Sequence, residues 1–233
     1  MRLRPLLASL SSAAGPTQSH LSLAHSLWRA AVKPGDVVVD ATAGRGYDTE
    51  VLLGLAGREG MTYALDVDAE ALAACAERCG ATLGGDDVDE CFSALEMSHA
   101  SPPPGLAPRT ARLVVFNLGF LPSKGRGAQR DPRADAVPTT TAETTVTALA
   151  AWALDAVQPG GAVSVAVYPG HSQGSREAAA LRAFAASLSP SIWRATEHAA
   201  INHAQTAPFL LTLHRLFRAP PLTARAVALA VGR

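Results

Sequence analysis

From residue 19 onward the chain alternates between stretches with apolar residues three and four positions apart and short continuous apolar runs. Leu21, Ala24, Leu27, Trp28 and Ala31 recur at helical spacing, which predicts a helix over 19–32 that Lys33-Pro34-Gly35 stops. Residues 36–41 then read as a buried strand. The same reading predicts helices over 49–55, 69–80, 140–157 and 174–188, and strands over 61–68, 111–120, 161–171 and 208–217. Strand and helix by turns means a parallel sheet covered on both faces. Two segments resist this pattern: residues 84–111, acidic and then proline-rich, where a third strand is due, and residues 122–138, polar and basic without periodicity.

Composition narrows the reading. With 233 residues, 48% hydrophobic and 17% charged, the chain suits one well-cored α/β domain, placed at 19–233, better than two. No apolar run approaches the roughly 20 residues of a membrane span, so a soluble protein with no membrane partner is expected. Net charge is zero but unevenly spread: residues 36–100 hold 14 acids against 3 bases, and residues 101–233 hold 6 acids against 13 bases. A divided surface follows, one part suited to an anionic partner. Residues 1–18, with Arg2, Arg4 and several Ser and Ala, read equally as a short organellar transit peptide or as a disordered N-terminus. The first puts the protein in a plastid or mitochondrion, the second in the cytoplasm. Cys75, Cys79 and Cys91 form no disulfide framework, and with His99 they lack zinc-knuckle spacing; packed thiols are expected, and no metal.

The stretch VVVDATAGRGYDTEVLL (37–53) runs from strand through two glycines into helix. A dinucleotide site requires a third glycine, absent after Gly44 and Gly46, and a phosphate loop requires Gly-Lys-Ser/Thr. Asp48 would repel phosphate from the helix start. A cofactor with positive charge and free hydroxyls but no phosphate fits, and S-adenosylmethionine is one. Asp66, twenty positions after Gly46, stands where a strand-end acid bonds ribose hydroxyls, although that acid serves NAD equally. Asn117, in VVFNLGFLP, ends the next clear strand at the edge where doubly wound sheets hold ligands. It resembles the Asn of the Asn-Pro-Pro-Tyr segment of amino-group methyltransferases, which accepts a hydrogen bond from the target amine. The plainer alternative is a cap on the turn before Gly119.

LSLAHSLWRAAVKPGDVVVDATAGRGYDTEVLL, FNLGFLP, ETTVTAL and GGAVSVAVYPGHSQGSREAAAL together resemble the successive blocks of the rRNA methylase family over about residues 20–215, and INHAQTAPFLL resembles its Asn-Gln-x-x-x-x-Pro-Pro segment. The bacterial and plant members of that family are described as S-adenosylmethionine-dependent methyltransferases acting on aminomethyl-2-thiouridine at the tRNA wobble position. The resemblance implies a Rossmann-like class I methyltransferase fold: α/β, doubly wound, a mostly parallel seven-stranded sheet with an antiparallel last strand. It implies S-adenosylmethionine contacts from Asp40, Thr42, Gly44, Arg45, Gly46, Asp48 and Thr49, from Asp66 and Asp68, from Ser98 and His99, and from Asn117. The chain departs from the family pattern at Arg45, at Ala100, at Thr141-Ala142 and in an extra segment over roughly 124–137.

The implied chemistry is displacement by a neutral amine, with catalysis from positioning and removal of a proton. Asn117 is expected to orient the amine, with Tyr168 and His171 in YPGH nearest to act as substrate contact or proton acceptor; a turn role for His171 is the alternative. Glu143-Thr144-Thr145 reads as a helix start capped by Thr140 or Thr141. Lys124, Arg126, Arg130 and Arg133, starting just past the Asn117 block, are expected to touch tRNA or another RNA, with Arg176, Arg182, Arg194 and Arg215 as the fallback face. The competing functions are methylation of an rRNA base or of a small-molecule amine, and more distantly a nicotinamide oxidoreductase or a non-catalytic binding module. The sequence leaves a homodimer open.

Overall fold

A computed structural model of the chain describes residues 19–83, 90–118 and 140–217. Residues 1–18 and the segment holding Lys124, Arg126, Arg130 and Arg133 lie outside the described residues.

The first helix, α1 (His20–Ala31), begins where the Ser19 hydroxyl accepts the Ser22 N–H, 3.1 Å away. It turns Ala24 and Trp28 inward, and the buried Trp28 Nε1 donates to Ser164 Oγ at 3.0 Å. The Lys33-Pro34-Gly35 turn leads into β1 (Val37–Asp40), whose valines are stiff, β-branched and mostly buried. Then follow α2 (Tyr47–Ala56), β2 (Met61–Asp66), α3 (Ala69–Leu83), β3 (Phe92–Glu96) and β4 (Ala111–Asn117). The helix α4 (Ala142–Ala148) runs through a π-helical turn, Leu149–Ala153, into the short α5 (Leu154–Ala156). The chain continues with β5 (Val157–Val167), α6 (Ser172–Ser187), β6 (Trp193–His198) and β7 (Phe209–Arg215).

The seven strands lie in the order β3-β2-β1-β4-β5-β7-β6. The first five are mutually parallel, and β7 runs antiparallel to both β5 and β6. This is the doubly wound sheet with an antiparallel last strand that the resemblance implied. The pattern of apolar positions found the five inner strands and missed β3 and β6, which are the two edges of the sheet. An edge strand pairs on one side only and keeps polar positions: β6 reads Trp-Arg-Ala-Thr-Glu-His, with only Trp193 buried.

Helices α1, α2 and α3 cover one face, where Ala24, Trp28, Leu52, Leu53, Cys75 and Cys79 pack over Val38, Ala64 and Leu113. On the other face Leu149, Trp152, Leu181 and Phe184 pack over Val39, Val114 and Phe116. Cys75 and Cys79 are therefore packed thiols in a hydrophobic layer. The strand order reverses between β1 and β4, and their carboxyl ends open the crevice where such sheets bind ligands.

Candidate functional site

That crevice is a cavity of about 610 Å³. Three segments build its floor. The β1–α2 loop turns at Gly44 (φ 49°) and Gly46 (φ 80°), left-handed backbone that glycine adopts without strain. Gly46 is needed twice over, because a Cβ there would come within 2.7 Å of Cys75 Sγ and 2.8 Å of its Cα on α3.

Behind the loop, Asp40 is fully buried and both its oxygens are used: Oδ1 accepts from Thr42 N–H at 3.2 Å and Oδ2 from the Thr49 hydroxyl at 2.7 Å. Burial, with the Asp48 charge adding to it, pushes the Asp40 carboxyl up to about 8. On the second segment Asp66, ending β2, accepts the Gly44 N–H at 2.7 Å through Oδ2 and the Asp68 N–H at 2.9 Å through Oδ1. It pins the glycine loop from across the sheet. The third segment follows β3, where His99 is 6% exposed and its Nε2 has no hydrogen-bond partner among the described residues. Trp152, on the π-helical turn, holds this loop by donating Nε1 to the His99 carbonyl at 2.9 Å. Burial holds the His99 imidazole below its usual range, against the pull of Asp66.

The other half of the cavity is walled by α1, the start of α2 and the ends of β4 and β5. The Thr42 hydroxyl accepts the Asn117 N–H at 2.6 Å, tying the ends of β1 and β4 together. Asp48 then receives two side chains: Asn117 Nδ2 donates to Oδ2 at 2.9 Å and His25 Nε2 lies 2.7 Å from Oδ1. A carboxylate accepts and cannot donate, so the Asn117 amide must present its nitrogen to Asp48, which leaves Oδ1 with acceptor capacity to spare. Tyr168 lines the cavity together with Asn117 and packs edge-on against His20, with ring centres 5.1 Å apart. Burial and the nearby Asp48 charge push its hydroxyl up to about 12. A phenol so placed keeps its proton at neutral pH and serves as a donor rather than a base. His171 Nδ1 accepts the Gly174 N–H at 3.0 Å and caps α6, the turn role the sequence offered as its alternative, while the ring also lines the cavity.

Of the residues expected around the cofactor, the structure brings Thr42, Gly44, Arg45, Asp48, Asp66, His99 and Asn117 to the cavity wall, with Tyr168 and His171. It does not bring Asp40, Gly46, Thr49, Asp68 or Ser98 there. Asp40 and Thr49 form the buried support under the loop, and Gly46 packs on α3. Asp68 Oδ1 accepts the N–H groups of Glu70 and Ala71 at the start of α3, and Ser98 Oγ accepts that of Ala100. Of the fallback basic face, Arg215 is withdrawn, buried with Nη1 2.6 Å from the Val157 carbonyl, and Arg182 is tied to Glu197 by two 2.8 Å hydrogen bonds. His25, Tyr47, Val67 and Met97 were not singled out from the sequence; the histidine at helical spacing in α1 was the one signal present.

The family model described as "Putative rRNA methylase" matches residues 62–214. The chain belongs to the rRNA methylase family. An Arabidopsis thaliana protein named tRNA (mnm(5)s(2)U34)-methyltransferase, chloroplastic, is 30% identical over 200 residues, covering 83% of this chain and 68% of its own length. An rRNA methylase structure from Clostridium thermocellum, labelled putative, superposes with a TM-score of 0.73 at 26% identity, covering 85% of this chain and 98% of that one. A methyltransferase structure from Streptococcus mutans, solved in complex with SAH, matches with a TM-score of 0.68 at 25% identity over 84% and 98% of the two chains. As a member of a methylase family with this sheet, the chain is a class I methyltransferase.

The cavity's own residues fit S-adenosylmethionine. They offer a strand-end carboxylate at Asp66, a loop of left-handed glycine, a buried histidine with an unspent ring nitrogen at His99, and a second carboxylate, Asp48, to face positive charge. Among the described residues no lysine lines the wall to meet a phosphate, and Arg45 is its only arginine.

Proposed function

We propose that this methyltransferase methylates the nitrogen of an aminomethyl group on the wobble uridine of tRNA. S-adenosylmethionine is its cofactor and, when bound, supplies a methyl group on positively charged sulfur. The observation that carries the amine reading is the Asn117–Asp48 pair, an amide bonded through its nitrogen to a carboxylate with both residues lining one cavity. An aminomethyl group arrives as an ammonium at neutral pH. Asp48 attracts it and accepts a proton from it, the N–H electron pair staying on nitrogen, and Asn117 Oδ1 accepts a remaining N–H and points the lone pair forward. The Tyr168 hydroxyl, held protonated, is placed to bond the substrate as a donor. Asp66, Gly44 and His99 hold the cofactor on the far side of the same cavity.

The wobble-uridine target draws support from the name of the Arabidopsis relative, and the 13 bases against 6 acids in residues 101–233 suit a polyanion. We further assign residues 1–18 as a plastid transit peptide, in keeping with that relative's chloroplastic name; import assays on the tagged full chain test it. An rRNA base is the alternative that the family's description favours.

Nucleoside mass spectrometry on cells lacking the protein tests the proposal. Loss of methylaminomethyl-2-thiouridine from tRNA, with its unmethylated precursor accumulating, is the expected result. Unchanged tRNA nucleosides together with a lost methyl mark in ribosomal RNA would overturn it.

A further inference from the structure

Two side chains from two other elements meet on one carboxylate. Asp48 begins α2, His25 reaches it from α1 and Asn117 from the end of β4. His25 lies 23 positions from Asp48 and Asn117 lies 69, so no local turn explains the meeting. The Asp48 side chain is 13% exposed and faces the cavity; His25 stands behind it at 25% exposure, against Trp28, with ring centres 4.9 Å apart. Trp28 is itself locked by its bond to Ser164. The imidazole therefore sits on a fixed back wall and outside the cavity lining, touching the carboxylate that faces the reaction.

We infer that His25 is a positioning residue of the methyl-transfer site: it clamps Asp48, so that Asp48 holds the Asn117 amide with its oxygen turned to the incoming amine. The inference rests on the amine reading above and extends it to a helix outside the cavity wall. The clamp is directional. His25 takes Asp48 Oδ1 and Asn117 takes Oδ2, so rotation of the carboxylate would break both bonds together. Without His25 the carboxylate gains a rotor, and the amide that depends on it loses its fixed orientation. A misplacement of this kind acts on turnover more than on cofactor affinity, because the Gly44–Asp66 half of the cavity does not pass through Asp48.

The test uses His25→Ala, His25→Gln and Asp48→Asn in the full-length enzyme. In the complex with S-adenosylhomocysteine, the Asn117 side-chain amide signals in nitrogen-edited NMR should shift or broaden in His25→Ala and return toward the parent in His25→Gln, which keeps an N–H donor. On tRNA carrying aminomethyl-2-thiouridine, His25→Ala should lose about tenfold or more in kcat, with KM and S-adenosylhomocysteine affinity changed less than about threefold. Added to Asp48→Asn, it should cost less than about threefold further, since both act through the same group. Unmoved Asn117 signals, equal losses in both backgrounds, or a cofactor affinity that falls as far as kcat would overturn the clamp. If the parent enzyme leaves that tRNA untouched, the proposed function fails instead, and the Asn117 signals still decide whether His25 holds the amide.

Discussion

The two halves of the cavity are built by different means. On the cofactor side a carboxylate is satisfied by backbone: Asp66 takes the N–H groups of Gly44 and Asp68, and His99 is held through its own carbonyl by Trp152. On the acceptor side, side chains bind side chains: His25 and Asn117 both bond Asp48, and Tyr168 lines the same cavity. Backbone hydrogen bonds tolerate changes in neighbouring side chains, whereas a line of side chains fails when one member is removed. The first half suits a ligand that never varies, and the second can be retuned for a new substrate by single substitutions.

The sharpest way to break this comparison is Asn117→Ala. It should abolish detectable methyl transfer while calorimetric titration with S-adenosylhomocysteine changes little. A loss in turnover below about tenfold, roughly 1.4 kcal/mol, would make Asn117 merely structural. Asp66→Ala should do the reverse. Removing an acceptor of charge-assisted bonds, each worth about 1.5–3 kcal/mol, should weaken S-adenosylhomocysteine by at least about tenfold and also free the Gly44 loop. Unchanged affinity would remove Asp66 from the cofactor site.

How much of each half was legible in the sequence follows the same division. Asp66 and the glycine turn were found because a loop and its strand-end partner keep a fixed spacing dictated by the βαβ unit. Asp40 and Thr49 sit in the same motif but lie buried beneath the loop and off the cavity wall, and linear spacing does not distinguish the front of a loop from its back. Asn117 was visible because it ends a strongly apolar strand. His25 was not, because its partner is 23 positions away and only the packing of α1 over the sheet brings them together. The missed strands make the same point: β3 and β6 form the sheet edges, where half-exposure erases the apolar pattern.

The support under the cofactor half makes two stability predictions. Gly46→Ala places a Cβ at φ 80° against Cys75, and left-handed strain alone costs about 1–3 kcal/mol, so its thermal midpoint should fall by several degrees. An unchanged midpoint would contradict the loop-on-helix packing. Asp40, raised to about 8 by burial, keeps its proton in the folded chain across a range where the unfolded chain has released it. Over that window, from about pH 4 to pH 8, the unfolded state binds fewer protons, so this group makes stability fall as pH rises. Asp40→Asn should remove that fall, and denaturant unfolding at the two ends of the window would read a difference of up to a few kcal/mol. Parallel pH dependences of variant and parent would return Asp40 to an ordinary ionised carboxylate.

The smallest expected effect sharpens the acceptor side. Replacing Lys124, Arg126, Arg130 and Arg133 with Ser should weaken tRNA binding and flatten its salt slope by about 0.7–0.9 for each phosphate that is no longer neutralised, with cofactor affinity untouched. An unchanged slope would return the RNA face to Arg176 and Arg194, which are exposed and, unlike the exposed Arg182, not tied to Glu197.

The most direct measurement is a single-turnover assay with purified enzyme, S-adenosylmethionine and two tRNAs that differ only in the aminomethyl group on the wobble uridine. The account predicts that the aminomethyl tRNA alone gains the mass of one CH2, located by fragmentation on the aminomethyl nitrogen, and that Asn117→Ala adds none. Equal methylation of both tRNAs, or a methyl group on a ring atom or ribose, would contradict it.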